Sequence, residues 1–95
     1  MSTFLQPKPL GRATFEAIRF VRYLDTEDAF VVEFDSGETY RLSHARLREA
    51  NRLPSSTGEV DSVWIEAEMR SGFLVRYADG TWADCAWDLV KETAA

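Results

Sequence analysis

An internal duplication constrains this 95-residue chain more than any other feature of its sequence. The stretch from Leu74 to Val90, LVRYADGTWADCAWDLV, is a second copy of Val31 to Leu47, VVEFDSGETYRLSHARL. Aligned 43 positions apart, Phe30 falls on Phe73, Val32 on Val75, Phe34 on Tyr77, Gly37 on Gly80, Leu47 on Val90, Arg48 on Lys91 and Glu49 on Glu92. Each copy reads as an alternating strand, a turn with Asp and Gly, a second strand and a short amphipathic helix.

Taken in order, Thr14 to Leu24 is rich in β-branched and aromatic residues and predicts a strand, apolar on both parities and therefore covered on both faces or bulged. Asp25 to Asp28 is a polar break of hairpin length, followed by a strand over Ala29 to Phe34. Asp35-Ser36-Gly37 supplies the residues a tight turn requires, and Glu38 to Leu42 returns as a third strand. Ser43 is a candidate N-cap for a helix running to about Arg52, which must stop before Pro54. Pro54 to Gly58 reads as the linker between the copies. The second copy then predicts a long strand over Val60 to Met69, a turn at Arg70 to Gly72, strands over Phe73 to Tyr77 and Thr81 to Asp84, and a helix from about Cys85 to Glu92. The expectation is an α+β fold of two tandem β-β-β-α repeats, about 14–53 and 59–92, in a single domain. Their antiparallel strands form one sheet or two with both short helices packed against them. Residues 1–13, with Pro7, Pro9 and Gly11, read as a flexible N-terminal arm.

Sixteen acidic against eleven basic residues give a formal charge of −5, which repels phosphate backbones and makes nucleic acid an unsuitable partner. One cysteine and one histidine cannot close a structural zinc site or an internal disulfide, so no metal and no cofactor is expected. MSTFLQPKPLGR lacks a signal-peptide pattern, and no window has the apolar length of a membrane span, so the expected setting is cytoplasmic and away from membranes.

The order of elements from Phe30 through Leu89, with the short matches FDSG, ARLRE and ADG, resembles the gamma-butyrobetaine hydroxylase-like N-terminal domain. The resemblance implies a free-standing or accessory module related to the N-terminal domain of carnitine-biosynthesis dioxygenases, and fusions in that family associate it with iron-sulfur carriers. Two departures stand out. The family's zinc-bearing form uses several cysteines and a histidine where this chain has Cys85 and His44 alone. Its second turn commonly continues into histidine where Thr81 stands here.

Seven residues and one basic run stand out as candidates. Cys85, at the expected start of the last helix, is a reactive or metal-touching thiol if the helix N-terminus lowers its pKa, and a small buried residue if its alignment with Leu42 is the guide. His44, aligned with Trp87, is a base or ligand only with partners from the other copy, and otherwise a surface residue at a helix start. Trp82 and Trp87 replace Thr39 and His44 of the first copy. Exposed beside Asp79, Asp84 and Asp88, they would make an acidic aromatic surface for a basic or amphipathic protein segment; buried, Trp82 would pack across the sheet on Trp64 and Trp87 would close the core. The run Arg41, His44, Arg46, Arg48 and Arg52 is interrupted by Glu49 and reads as a solvated helix face. Phosphate loops, serine elbows and paired-histidine helices are absent. The functional expectation is a non-catalytic protein-interaction module, with a metal-handling accessory factor or a stand-alone relative of a dioxygenase domain as alternatives. A homodimer is compatible with either.

Overall fold

The computed structural model of the chain describes residues 15–55 and 58–93; the expected N-terminal arm lies outside them. The elements run β1 (Ile18–Leu24), β2 (Ala29–Phe34), β3 (Thr39–Ser43), α1 (His44–Ala50), β4 (Val60–Ile65), β5 (Gly72–Tyr77), β6 (Trp82–Ala86) and α2 (Trp87–Thr93). The strands form two antiparallel three-stranded sheets, β1-β2-β3 and β4-β5-β6. This is an α+β fold of two similar β-β-β-α units, as the duplication predicts.

The likeness between units extends to single hydrogen bonds. The Phe34 amide donates to Glu38 O at 2.9 Å, and the Tyr77 amide to Thr81 O at 2.8 Å. Gly37 and Gly80 close the equivalent turns at φ of 94° and 91°, a left-handed backbone that suits glycine. The His44 amide donates to Asp28 O at 3.0 Å, and the Trp87 amide to Ser71 O at 2.9 Å. Both first strands bulge at matching places, between Ile18 and Phe20 and between Val60 and Ser62. The spacing between copies is 42 residues across these first strands and 43 afterwards, because the second copy's first loop is one residue longer.

That loop corrects one expected boundary. β4 ends at Ile65 instead of running to Met69, because the Glu66 carboxylate gathers the backbone amides of Glu68, Met69 and Ser71 and the Ser71 hydroxyl. A side chain that satisfies so many local amides turns the chain out of the ladder. The last boundary also moves. β6 continues to Ala86, and α2 starts at Trp87 instead of Cys85. α1 begins where Ser43 predicts, its Oγ accepting the Arg46 amide at 3.1 Å. It closes with Arg52 at φ 58°, the Arg52 amide on Glu49 O and the Leu53 amide on Arg48 O. Those two bonds make a Schellman-type stop, and Pro54 follows at once.

Alternation buries Phe30, Val32 and Phe34 of β2 and Phe73, Val75 and Tyr77 of β5 in one shared core with Ile18, Leu42, Leu47, Cys85 and Val90. Each helix packs on the third strand of both units, α1 on β3 and β6 and α2 on β3 and β6. Asn51, just past α1, clamps β6 in both directions: its amide donates to Asp84 O at 2.9 Å and its carbonyl accepts the Asp84 amide at 3.1 Å. One side chain thus satisfies an edge-strand residue that would otherwise be open to pairing.

Gly72 sits where β5 approaches β6 closely. A Cβ there would lie 2.5 Å from Cys85 O, a backbone atom that cannot swing aside. Gly72→Ala is therefore expected to destabilise the chain by roughly 1–3 kcal/mol, the range for overpacking, read from the urea midpoint. An unchanged midpoint would show that the two strands are not held this closely.

Candidate functional site

His44 opens α1 yet is 3% exposed, which corrects the expectation of a surface residue. Its Nδ1 lies 2.7 Å from Asp28 Oδ1 and its Nε2 lies 2.7 Å from the Tyr77 hydroxyl. Tyr23 donates its hydroxyl to the same Asp28 oxygen at 2.6 Å. Arg48, one turn along α1, brings Nη1 to 3.0 Å from Nδ1 and Nη2 to 3.9 Å from Asp28 Oδ2. Nδ1 cannot at once donate to Asp28 and accept from Arg48. An Nδ1–H directed at the carboxylate, with Nε2 accepting from Tyr77, satisfies both ring nitrogens and leaves Arg48 as a charge partner of Asp28.

Asp-His-Tyr is the order of a proton relay, with a carboxylate orienting an imidazole that faces a hydroxyl. Access decides against catalysis. Tyr77 is fully buried, its ring stacked on His44 at 5.6 Å, and no substrate atom can approach the hydroxyl without unfolding the core. The relay is a tie between the units, with Asp28 and His44 from the first and Tyr77 from the second. The alignment of His44 with Trp87 leaves the position open between surface and core, and only the structure shows it buried. The partner from the other copy had no local signal.

At the matching place in the second unit, Trp87 stands edge-on to Phe15 at 5.3 Å. Lys91, the counterpart of Arg48, sets its Nζ 4.7 Å above the Phe34 ring, 2.6 Å from Glu16 and 3.8 Å from Glu38. Phe34 is the counterpart of Tyr77, so one junction is polar and the other aromatic and cationic. Trp87 is half-buried and belongs to this junction.

Cys85 is buried in β6, two residues before α2, so no helix N-terminus faces it. Burial, with Asp84 and Asp88 adding to it, pushes its thiol up to about 12, opposite to the activation considered from the sequence. Among the described residues, no group of three or more His, Cys, Asp or Glu is placed to hold a metal.

Trp82 is 50% exposed on the outer face of the second sheet and meets Trp64, 38% exposed, edge to face at 5.1 Å. Both readings from the sequence hold in part, since Trp82 packs on Trp64 across the sheet and the pair stays in solvent. In register, the face carries Ser62, Arg76 and Trp82 in one row and Trp64, Leu74 and Asp84 in the next. A shallow depression lies beyond them over Gly72 and Ala86, rimmed by Glu66 and Asp84. Asp84 is fixed through its backbone by Asn51. Asp79 caps its own turn by accepting the Thr81 amide at 2.9 Å, a bond that holds its carboxyl below the usual carboxylate range. Asp88 is exposed in the first turn of α2. Of the five surface candidates, Trp82 and Asp84 share this face, Asp79 and Asp88 flank its last strand, and Trp87 belongs to the junction.

Family models, curated proteins and solved structures contain no match to this chain. No helix among the described residues is long and apolar enough to cross a membrane.

Two measurements follow from the ionisable groups. Burial, followed by the bond to Asp28, pushes Tyr23 up to about 12 from its ordinary value of 10.0, so the folded state keeps a proton that the unfolded chain releases first. Stability tied to Tyr23 is therefore present below pH 10 and lost as pH rises toward 12, and Tyr23→Phe should flatten that alkaline limb of the unfolding curve. A limb as steep in the variant would assign it to Tyr40, Tyr77 and Cys85, whose protons are also held more tightly. Separately, Cys85 should react with a thiol reagent at least about a hundredfold more slowly in the native protein than in urea, because a buried thiol with few thiolates is a poor nucleophile. Equal rates would mean an open β6.

Proposed function

We propose that the chain is a non-catalytic protein-interaction module that receives a partner on the outer face of its second sheet. The observation that carries this reading is the half-exposed Trp64–Trp82 pair centred on that face. Large exposed aromatics in a cluster, flanked by polar residues, are the usual anchors of protein interfaces. The first unit supplies the comparison within the chain: its counterparts of Trp64 and Trp82 are Arg22 and Thr39. Both outer faces stand on the same scaffold, so folding does not require the tryptophans.

The other chemistry-bearing groups are committed inward. His44 has a partner on each ring nitrogen and Cys85 is a protonated core thiol, which leaves neither in position to act on a substrate. The resemblance to the gamma-butyrobetaine hydroxylase-like N-terminal domain supports an accessory role of the same kind, in which the module engages another protein or domain. The formal charge of −5 favours protein over nucleic acid as that partner.

A photo-crosslinking residue at Ser62, beside the pair on the outer face, should capture a defined partner in cells. The same probe at Thr39 on the first sheet should not, and Trp64→Ala should abolish the product from position 62. Equal products from both positions, or none from position 62, would remove the docking face.

A further inference from the structure

The docking reading leaves the occupant open, and the charges around the tryptophans specify it. We infer that the second sheet's outer face takes an extended, basic protein segment, with a lysine or arginine of the partner seated between the Trp82 ring and the Asp84 carboxylate. This inference rests on the docking role proposed above and adds the chemistry of the partner.

Trp82 and Asp84 are two residues apart on β6 and both exposed, so their side chains leave the same face about 7 Å apart. An ammonium or guanidinium fits between a π-face and a carboxylate at that spacing, gaining a cation–π contact and an ion pair together. Among the described residues the seat has no occupant. Among the described residues, the cation resting on aromatic rings is Lys91, over Phe34 and Tyr40, and none lies over Trp64 or Trp82. Asp84 forms no salt bridge within the described chain. Its backbone clamp to Asn51 holds it in place for an incoming charge.

The duplication shows that this chemistry is particular to one face. The counterpart of Asp84 is Arg41, already paired with Glu27, and the counterpart of Arg76 is Glu33, already paired with Arg19. Sheet one pairs both of these charges within its own unit and leaves a cation, Arg22, without an ion pair among the described residues, while sheet two leaves the carboxylate Asp84 without one and brackets β6 with Asp79 and Asp88. Arg76 is the opposing cation on the face, in the row of Trp82, and it weakens the field that a basic partner meets. Leu74 and the depression over Gly72 and Ala86 receive apolar side chains between the charges. A flat sheet surface with such alternation suits an extended chain.

The test uses the intact protein and two fluorescein-labelled twelve-residue peptides, one alternating lysine with valine and the other glutamate with valine, followed by fluorescence anisotropy. The lysine peptide should bind and the glutamate peptide should not. Trp82→Ala should weaken binding about tenfold, as loss of a cation–π anchor in a desolvated contact implies. Asp84→Asn should weaken it severalfold, Arg76→Ala should tighten it, and Asp25→Asn, which removes one charge elsewhere, should leave it unchanged. Circular dichroism checks that each variant is folded. If both peptides bind alike and both depend on Trp82, the docking face stands and the basic partner is excluded. If the lysine peptide binds but Asp25→Asn matters as much as Asp84→Asn and Trp82→Ala does not, the attraction is only that of net charge and the inference falls. No binding of the lysine peptide also overturns it, while the crosslink from position 62 still judges the docking face independently.

Discussion

Phe30 and Phe73 hold the same place in the two copies, and they touch each other, with ring centroids 5.5 Å apart. Residues related by an internal duplication can meet in this way only near the axis that relates the copies. Both rings are fully buried or nearly so, a burial that contributes about 1.5–3 kcal/mol each. A three-stranded sheet with one seven-residue helix has too little apolar cover to bury such a face alone. Each unit is completed by the other, through the crossed packing of both helices and through Asn51 reaching from the end of α1 to the edge of β6.

Around that axis the two junctions have diverged in chemistry while keeping their geometry. One holds His44 between Asp28 and Tyr77, the other Trp87 beside Phe15 with Lys91 over Phe34. A buried imidazole with both nitrogens bonded is stable only when each partner is present, since an orphaned buried polar group costs about 1–3 kcal/mol. Because Tyr77 comes from the other unit, the polar junction specifies how the halves meet and not only that they do. The aromatic junction supplies contact area with looser geometric demands. Between them they distinguish the two ends of a nearly symmetric molecule.

Much of this plan was legible in the sequence. The strands around FDSG and ADG, the Ser43 cap and the break at Pro54 all fall where local chemistry puts them, because turns and caps are decided by a few adjacent residues. The expected end of β4 overruns the true one because the alternation of Ile65, Ala67 and Met69 with Glu66 and Glu68 continues the strand pattern, whereas the Glu66 carboxylate satisfies the amides there and ends the ladder. The expected start of α2 falls two residues before the true one because Cys85 and Ala86 suit a helix as well as a strand; pairing of Phe73 with Cys85 and of Gly72 with Ala86 keeps them in the sheet. The burial of His44 is not legible locally for a deeper reason. Its burial depends on Tyr77, 33 positions away, and no periodicity names a partner across copies.

The duplication also separates what folding demands from what it leaves free. Inward positions match in kind, Val32 with Val75, Leu42 with Cys85 and Leu47 with Val90, because all face one shared core whose density tolerates little change. Outward positions carry no such constraint, and there the copies part: Arg22 against Trp64, Thr39 against Trp82, Arg41 against Asp84. Two half-solvated tryptophans on a face that the first unit builds without them keep apolar surface in water, which favours association. The first sheet's outer arginines Arg19 and Arg41 are paired within their own unit, and Arg22, a cation, is left without an ion pair among the described residues. The second sheet's surface, with an aromatic pair and a carboxylate without an ion pair, is completed by a cation that the described chain does not supply.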